Sequence, residues 1–106
     1  DISYEQLLAM NPDVIVIPAE AGYGKEDVLS DPQLADLPAV KDGRVYQMPK
    51  DFEAWDSPVP SCTLGMRWML NALHEDAYPT ETLQADGASF YQQFYGAEID
   101  ISLVAK

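Results

Sequence analysis

The chain is short of most of the residues that build catalytic and metal centres. It has one cysteine, Cys62, and one histidine, His74. One cysteine excludes an intrachain disulfide and a cysteine-based zinc cage, and a lone histidine has no second donor at metal-ligand spacing. Basic residues are few: six Lys plus Arg stand against eighteen Asp plus Glu, for a net charge of −12. A phosphate backbone is repelled by such a chain, so nucleic acid is not an expected partner. The acids are spread along the chain, which makes a solvated surface their simplest account. No apolar run reaches the roughly 18 residues that a membrane-spanning helix needs. There is no GxSxG, no phosphate-cradling glycine loop and no Ser-His-Asp or Cys-His grouping, so nothing in the motifs supports catalysis. The chain also starts "DISYEQLL", without an initiator Met, a basic leader or an apolar signal core. The expectation is that a leader has been removed or that the chain is part of something longer.

What is present reads as α/β. Ser3 and Gln6 form a capping box, with Ile2 and Leu7 at the staple positions, so a helix is predicted from there to about Met10. "NPD" stops it, because Pro12 disfavours helix in the residue before it. "VIVIP" is a short β-branched run, the pattern of a strand buried on both faces. "EDVLSDPQLADLPAV" has broken helical character, with Asp31-Pro32 as a fresh helix start and Pro38 as its end. "RVYQMP" is a second strand. Roughly 26 residues separate the two, far too many for a hairpin and suited to a parallel crossover.

Beyond the second strand, Ser57 and Pro58 are read as the start of a helix reaching about His74. Cys62, Met66, Met69 and Leu73 form one stripe on it; Leu64 and Trp68 lie nearly opposite. A helix apolar on two sides is sandwiched, and Cys62 is expected in the core. A last helix, about Glu81 to Tyr95, stops at Gly96. Gly87 is read as a point of close helix approach, and the tail with Ile99, Ile101 and Leu103 as extended. Two strands do not make a complete sheet. Missing chain or a second copy is expected to complete it, and an open edge predicts self-association as a homodimer.

Two loops follow the carboxyl ends of the strands, at residues 19–27 and 49–57. Parallel strands bring such loops to one sheet edge, where open α/β sheets bind ligands. They carry Tyr23, Phe52 and Trp55 with Glu20, Asp51, Glu53 and Asp56. Aromatic faces with a few polar groups suit a small-molecule site. The stretch "KDFEAWDSPVPS" has an equally simple structural reading: Trp55 packs under the following helix and Asp56 helps cap it. Glu5 likewise has two readings, as an acid favoured near a helix N-terminus or as an exposed docking charge.

Taken in order, "SYEQLLAMNPDVIVIP", "DPQLADLPAVKDGRVYQMP", "FEAWDSPVPSCTLGMRWMLNALH" and "FYQQFYG" resemble the C-terminal lobe of the periplasmic substrate-binding proteins of ABC transporters. The resemblance is to the class with a rigid interlobe helix that carries iron-siderophores, haem and vitamin B12. It implies an α/β lobe spanning residues 1–106, a parallel sheet flanked by helices, with an N-terminal lobe as its partner across a ligand cleft. It implies a metal-chelate small molecule as ligand, Tyr23, Phe52, Glu53, Trp55 and Asp56 at the site, and Glu5 as the residue that docks on the membrane permease. It also implies an extracytoplasmic location, periplasmic or as a cell-surface lipoprotein. No cofactor, resident metal or catalytic residue is expected. These loops lack Arg, with Lys25 and Lys50 as their basic residues, which argues against a strongly anionic siderophore. Two other classes are consistent with the residues alone: a small α/β enzyme working through loop carboxylates, and a purely structural, self-associating domain.

Overall fold

The computed structural model describes residues 2–103, in the order α1 (Tyr4–Met10), β1 (Ile15–Ile17), α2 (Lys25–Ser30), α3 (Pro38–Lys41), β2 (Val45–Gln47), α4 (Cys62–Leu73) and α5 (Thr80–Tyr95), followed by a 3-10 turn at Ile101–Leu103. The chain divides into two compact units, one ending at Gln47 and the other starting at Met48.

In the first unit the capping box forms as the sequence predicts. The Gln6 amide donates to Ser3 Oγ at 3.2 Å, and the Ser3 amide donates to Gln6 Oε1 at 3.0 Å. Two otherwise orphaned helix-end donors are thereby satisfied. The helix ends on Asn11, which takes the left-handed conformation at φ 47°, a region that asparagine tolerates better than most residues. β1 and β2 pair in parallel, with Ile15 opposite Val45 and Ile17 opposite Gln47. Both strands therefore end at the same sheet edge. Ile17, Val28, Leu34, Leu37 and Val45 make the core, with Leu7, Ile15 and Val40 packed around it. Val16 and Tyr46 are only half-buried, so this short sheet is less enclosed than its β-branched sequence suggests. Pro38 opens α3 instead of closing the preceding segment. Its missing N–H costs nothing in the first helical turn. Asp31 starts no helix. It closes α2, and its Oδ1 accepts from the Gln33 amide at 2.8 Å, a local turn that competes with helix.

In the second unit α4 packs on α5. α4 starts four residues later than Pro58, with Ser61 as its N-cap, because residues 57–60 are taken up in turns. Its buried face is Leu64, Gly65 and Trp68. The Cys62–Met66 side is exposed, Met66 by 77%, so the expected burial of Cys62 fails among the described residues. In α5 the buried positions are Leu83, Gly87 and Tyr91, while Phe94 is exposed. Gly87 is the point of close approach, although the neighbour is Ile101 and not a helix: an added Cβ would lie 2.8 Å from Ile101 Cδ1. Ile101 sits there because residues 101–103 coil into a 3-10 turn, where an extended tail was expected; residues 104–106 lie outside the described part. Gly96 ends α5 at φ 62°, as read from the sequence.

Candidate ligand site

Two candidate loops follow the two short parallel strands, one loop in each unit. The loop after β1 begins at Pro18, whose carbonyl accepts from Gln47 Nε2 of β2 at 2.9 Å. That bond ties the loop's root to the neighbouring strand. Further on, the Gly24 amide donates to Asp27 Oδ2 at 2.7 Å and fixes the entry to α2. Tyr23 stands between these two fastenings and is 55% exposed. With Ile2, Tyr4, Leu7 and Leu34 it lines a cavity of about 290 Å³ in the first unit. Tyr4 Oη donates to Asp31 Oδ2 at 2.5 Å, and that hydrogen bond, together with the carboxylate charge, raises the Tyr4 pKa above 10.0. Glu5 is exposed in the first turn of α1.

The loop after β2 lies wholly in the second unit. Trp55 is 1% exposed. Its amide donates to Pro49 O at 3.1 Å, closing the loop on itself. Its indole Nε1–H donates to Tyr91 Oη at 3.0 Å, in the interior. Trp55 is thus the packed corner, and α4 passes directly beneath it at Gly65, where a side chain would strike the Trp55 carbonyl. Phe52 and Asp56 are exposed. The Phe52 ring lies 6.2 Å from that of Tyr91, tilted by 55°. The half-buried Glu53 accepts from Tyr95 Oη through both carboxylate oxygens, at 2.9 and 3.1 Å. Desolvation first, and then the Glu53 contact, raise the Tyr95 pKa. Beside the loop, Trp55 and Asp56 line an apolar groove of about 520 Å³ with Met48, Cys62, Met66 and Met69.

So the structure gathers Phe52, Glu53, Trp55 and Asp56 in one loop and fastens three of them to α5. The fastening residues, Tyr91 and Tyr95, are absent from the sequence-based reading. A signal for them exists: "FYQQFY" places two tyrosines one helical turn apart, on one face. Among the described residues no group of three His, Cys, Asp or Glu side chains is arranged to hold a metal ion.

Comparison with known proteins finds likenesses to periplasmic binding proteins. Residues 1–52 match the family described as periplasmic binding protein. The molybdate-binding protein MolA of Haemophilus influenzae is 32% identical over 95 residues, which is 89% of this chain and 27% of that protein. Its structure with molybdate bound aligns at a TM-score of 0.74 and 30% identity, over 93% of this chain and 31% of its own. A periplasmic solute binding protein from Veillonella parvula aligns at a TM-score of 0.81 and 26% identity, over 96% of this chain and 32% of that one. The Helicobacter pylori protein CeuE, in a nickel–histidine complex, aligns at 0.74 and 25% identity, over 97% and 32%. This chain therefore spans about a third of the length of the proteins it matches. Nearly every part of it has a counterpart there, and the chain carries the fold of one lobe of the ABC-transporter periplasmic binding proteins.

Proposed function

We propose that this chain is the C-terminal lobe of the solute-capturing component of an ABC importer, working outside the cytoplasm without catalysis. The observation that carries the reading is the alignment of 96% of the chain with a periplasmic solute binding protein. The ligand is a metal-containing small molecule. MolA takes molybdate and CeuE is seen with nickel–histidine, and the charge on the loops favours the second kind of cargo. By sequence the first loop carries Glu20 with Lys25, and the second carries Asp51, Glu53 and Asp56 with Lys50. An oxyanion among carboxylates is repelled, whereas a cationic or donor-bearing chelate is attracted. Phe52 and Tyr23 supply ring surface, and Glu53 and Asp56 supply acceptors. Trp55 contributes from below, as the residue on which the loop is built and as part of the groove wall. Glu5 meets the permease, a role consistent with its exposure in the first turn of α1.

Titration of the full-length protein with nickel(II)–histidine, ferric siderophores, haem, cobalamin and molybdate tests the ligand class. Saturable binding of a chelate with no competition from molybdate is the expected result; binding of molybdate alone overturns the charge argument. The 106-residue chain by itself is expected to pair through its open two-stranded sheet. A monomer by light scattering at high concentration counts against that.

A further inference from the structure

We propose that Tyr91 and Tyr95 of α5 are positioning residues for the ligand loop, holding Phe52, Glu53 and Trp55 in place before any ligand arrives. The inference rests on the reading of residues 49–57 as ligand-contacting. Its physical basis is one helix face. Tyr91 and Tyr95 are four residues apart, and their rings stack at 5.5 Å with 26° between planes. Each hydroxyl serves a different loop residue. Tyr91, 4% exposed, accepts the Trp55 indole proton; without it a buried donor loses its hydration and gains nothing in return. Tyr95, near the surface at 44% exposed, donates to Glu53 through a proton shared between the two oxygens. A carboxylate has about four lone-pair directions, so one phenol orients Glu53 and leaves most of its acceptor capacity for a ligand. The Phe52 ring, resting on Tyr91, fixes the outer part of the loop from the same face.

The consequence is an effect on affinity from residues that touch no ligand. A loop that is already ordered loses less freedom on binding, and a carboxylate already aimed does not have to find its rotamer. α5 therefore acts as the template for a loop whose own sequence, with Pro49, Pro58 and Pro60 around it, supplies few backbone bonds.

The test uses the full-length protein with Tyr95→Phe as the main variant, because it removes only a hydroxyl near the surface. Tyr91→Phe is the second variant. Amide hydrogen exchange reads the loop directly. Tyr95→Phe is expected to speed exchange at residues 50–57 by about fivefold, the size of one ordinary hydrogen bond, with β1 and α4 unchanged. The same factor is expected in the dissociation constant for whichever of nickel(II)–histidine, ferric catecholate siderophore or molybdate the wild type binds. In a Glu53→Gln background, Tyr95→Phe is expected to have a smaller effect on affinity, since the two act as a pair. Exchange at 50–57 that stays at the wild-type rate overturns the proposal. So does an increase spread evenly over the whole lobe, which marks a role in general stability. Faster loop exchange in a protein that binds none of the three probes supports the positioning role and removes the ligand reading, so the two can fail separately.

Discussion

Gly65→Ala tests how α4 supports the ligand loop. On an open helix the change is favourable, because alanine is about 1 kcal/mol better than glycine in a helix interior. Gly65 is not in the open. A Cβ there would overlap the Trp55 carbonyl oxygen and come within 3.1 Å of its carbonyl carbon and 3.3 Å of its Cβ. The first two are backbone atoms, in a segment held by the Trp55–Pro49 bond and by the indole–Tyr91 bond, so no flexible tip can swing aside. Overpacking of this kind costs about 1–3 kcal/mol, and the rigid neighbour puts this site at the upper end. Subtracting the helix-propensity gain leaves about 2 kcal/mol of net destabilisation.

Gly87→Ala is the matched control. Its Cβ would meet the Ile101 side chain, at 2.8 Å from Cδ1 and 2.9 Å from Cγ1. That side chain can rotate, so gain and cost nearly cancel and the change should stay within about 1 kcal/mol of neutral. Urea unfolding of the 106-residue chain followed by tryptophan fluorescence separates the two, because Trp55 and Trp68 are both buried in the affected unit. If Gly65→Ala is as stable as wild type, or Gly87→Ala is the more damaging of the pair, the argument from close backbone approach is wrong.

Other changes probe single links. Ser3→Ala removes one half of the reciprocal cap on α1 and should cost about 1 kcal/mol, read as faster hydrogen exchange over residues 4–10. Glu5→Ala should leave ligand binding by the full-length protein at the wild-type level and lower uptake in cells; normal uptake would remove the docking role. Tyr78 donates to Asp86, which also pairs with Arg67 at 3.1 Å. Burial first, and then the Asp86 contact, raise the Tyr78 pKa above 10.0, with Arg67 opposing. The folded state therefore holds that proton more tightly than the unfolded state does. The resulting stability is fully present below the ordinary value and is lost as pH rises through the folded one. Urea midpoints compared at about pH 9 and about pH 11 should fall less in Tyr78→Phe than in wild type, and an equal fall would refute the assignment.

The sequence by itself determined the features that depend on a few neighbouring residues. The α1 cap lies in Ser3 and Gln6, the helix stops in Asn11-Pro12 and Gly96, and the strands in the β-branched run "VIVI" and the segment "RVYQMP". Even the parallel pairing follows from the length of chain between the strands, since a long connection with helical character has few other solutions. The order of segments was enough to point to the family. Tertiary structure decided what depends on distant partners. Whether Trp55 is a lip or a corner is set by Tyr91, 36 positions away, and whether Glu53 is held is set by Tyr95, 42 positions away. The start of α4 moved from Pro58 to Cys62, and of the two sides that a sandwiched helix would bury, the Leu64, Gly65 and Trp68 side is buried while Cys62 and Met66 are exposed. Both stripes are apolar enough to be buried, so periodicity cannot choose between them. The choice falls to whichever face finds a surface to pack on, and that surface exists only once the chain has folded.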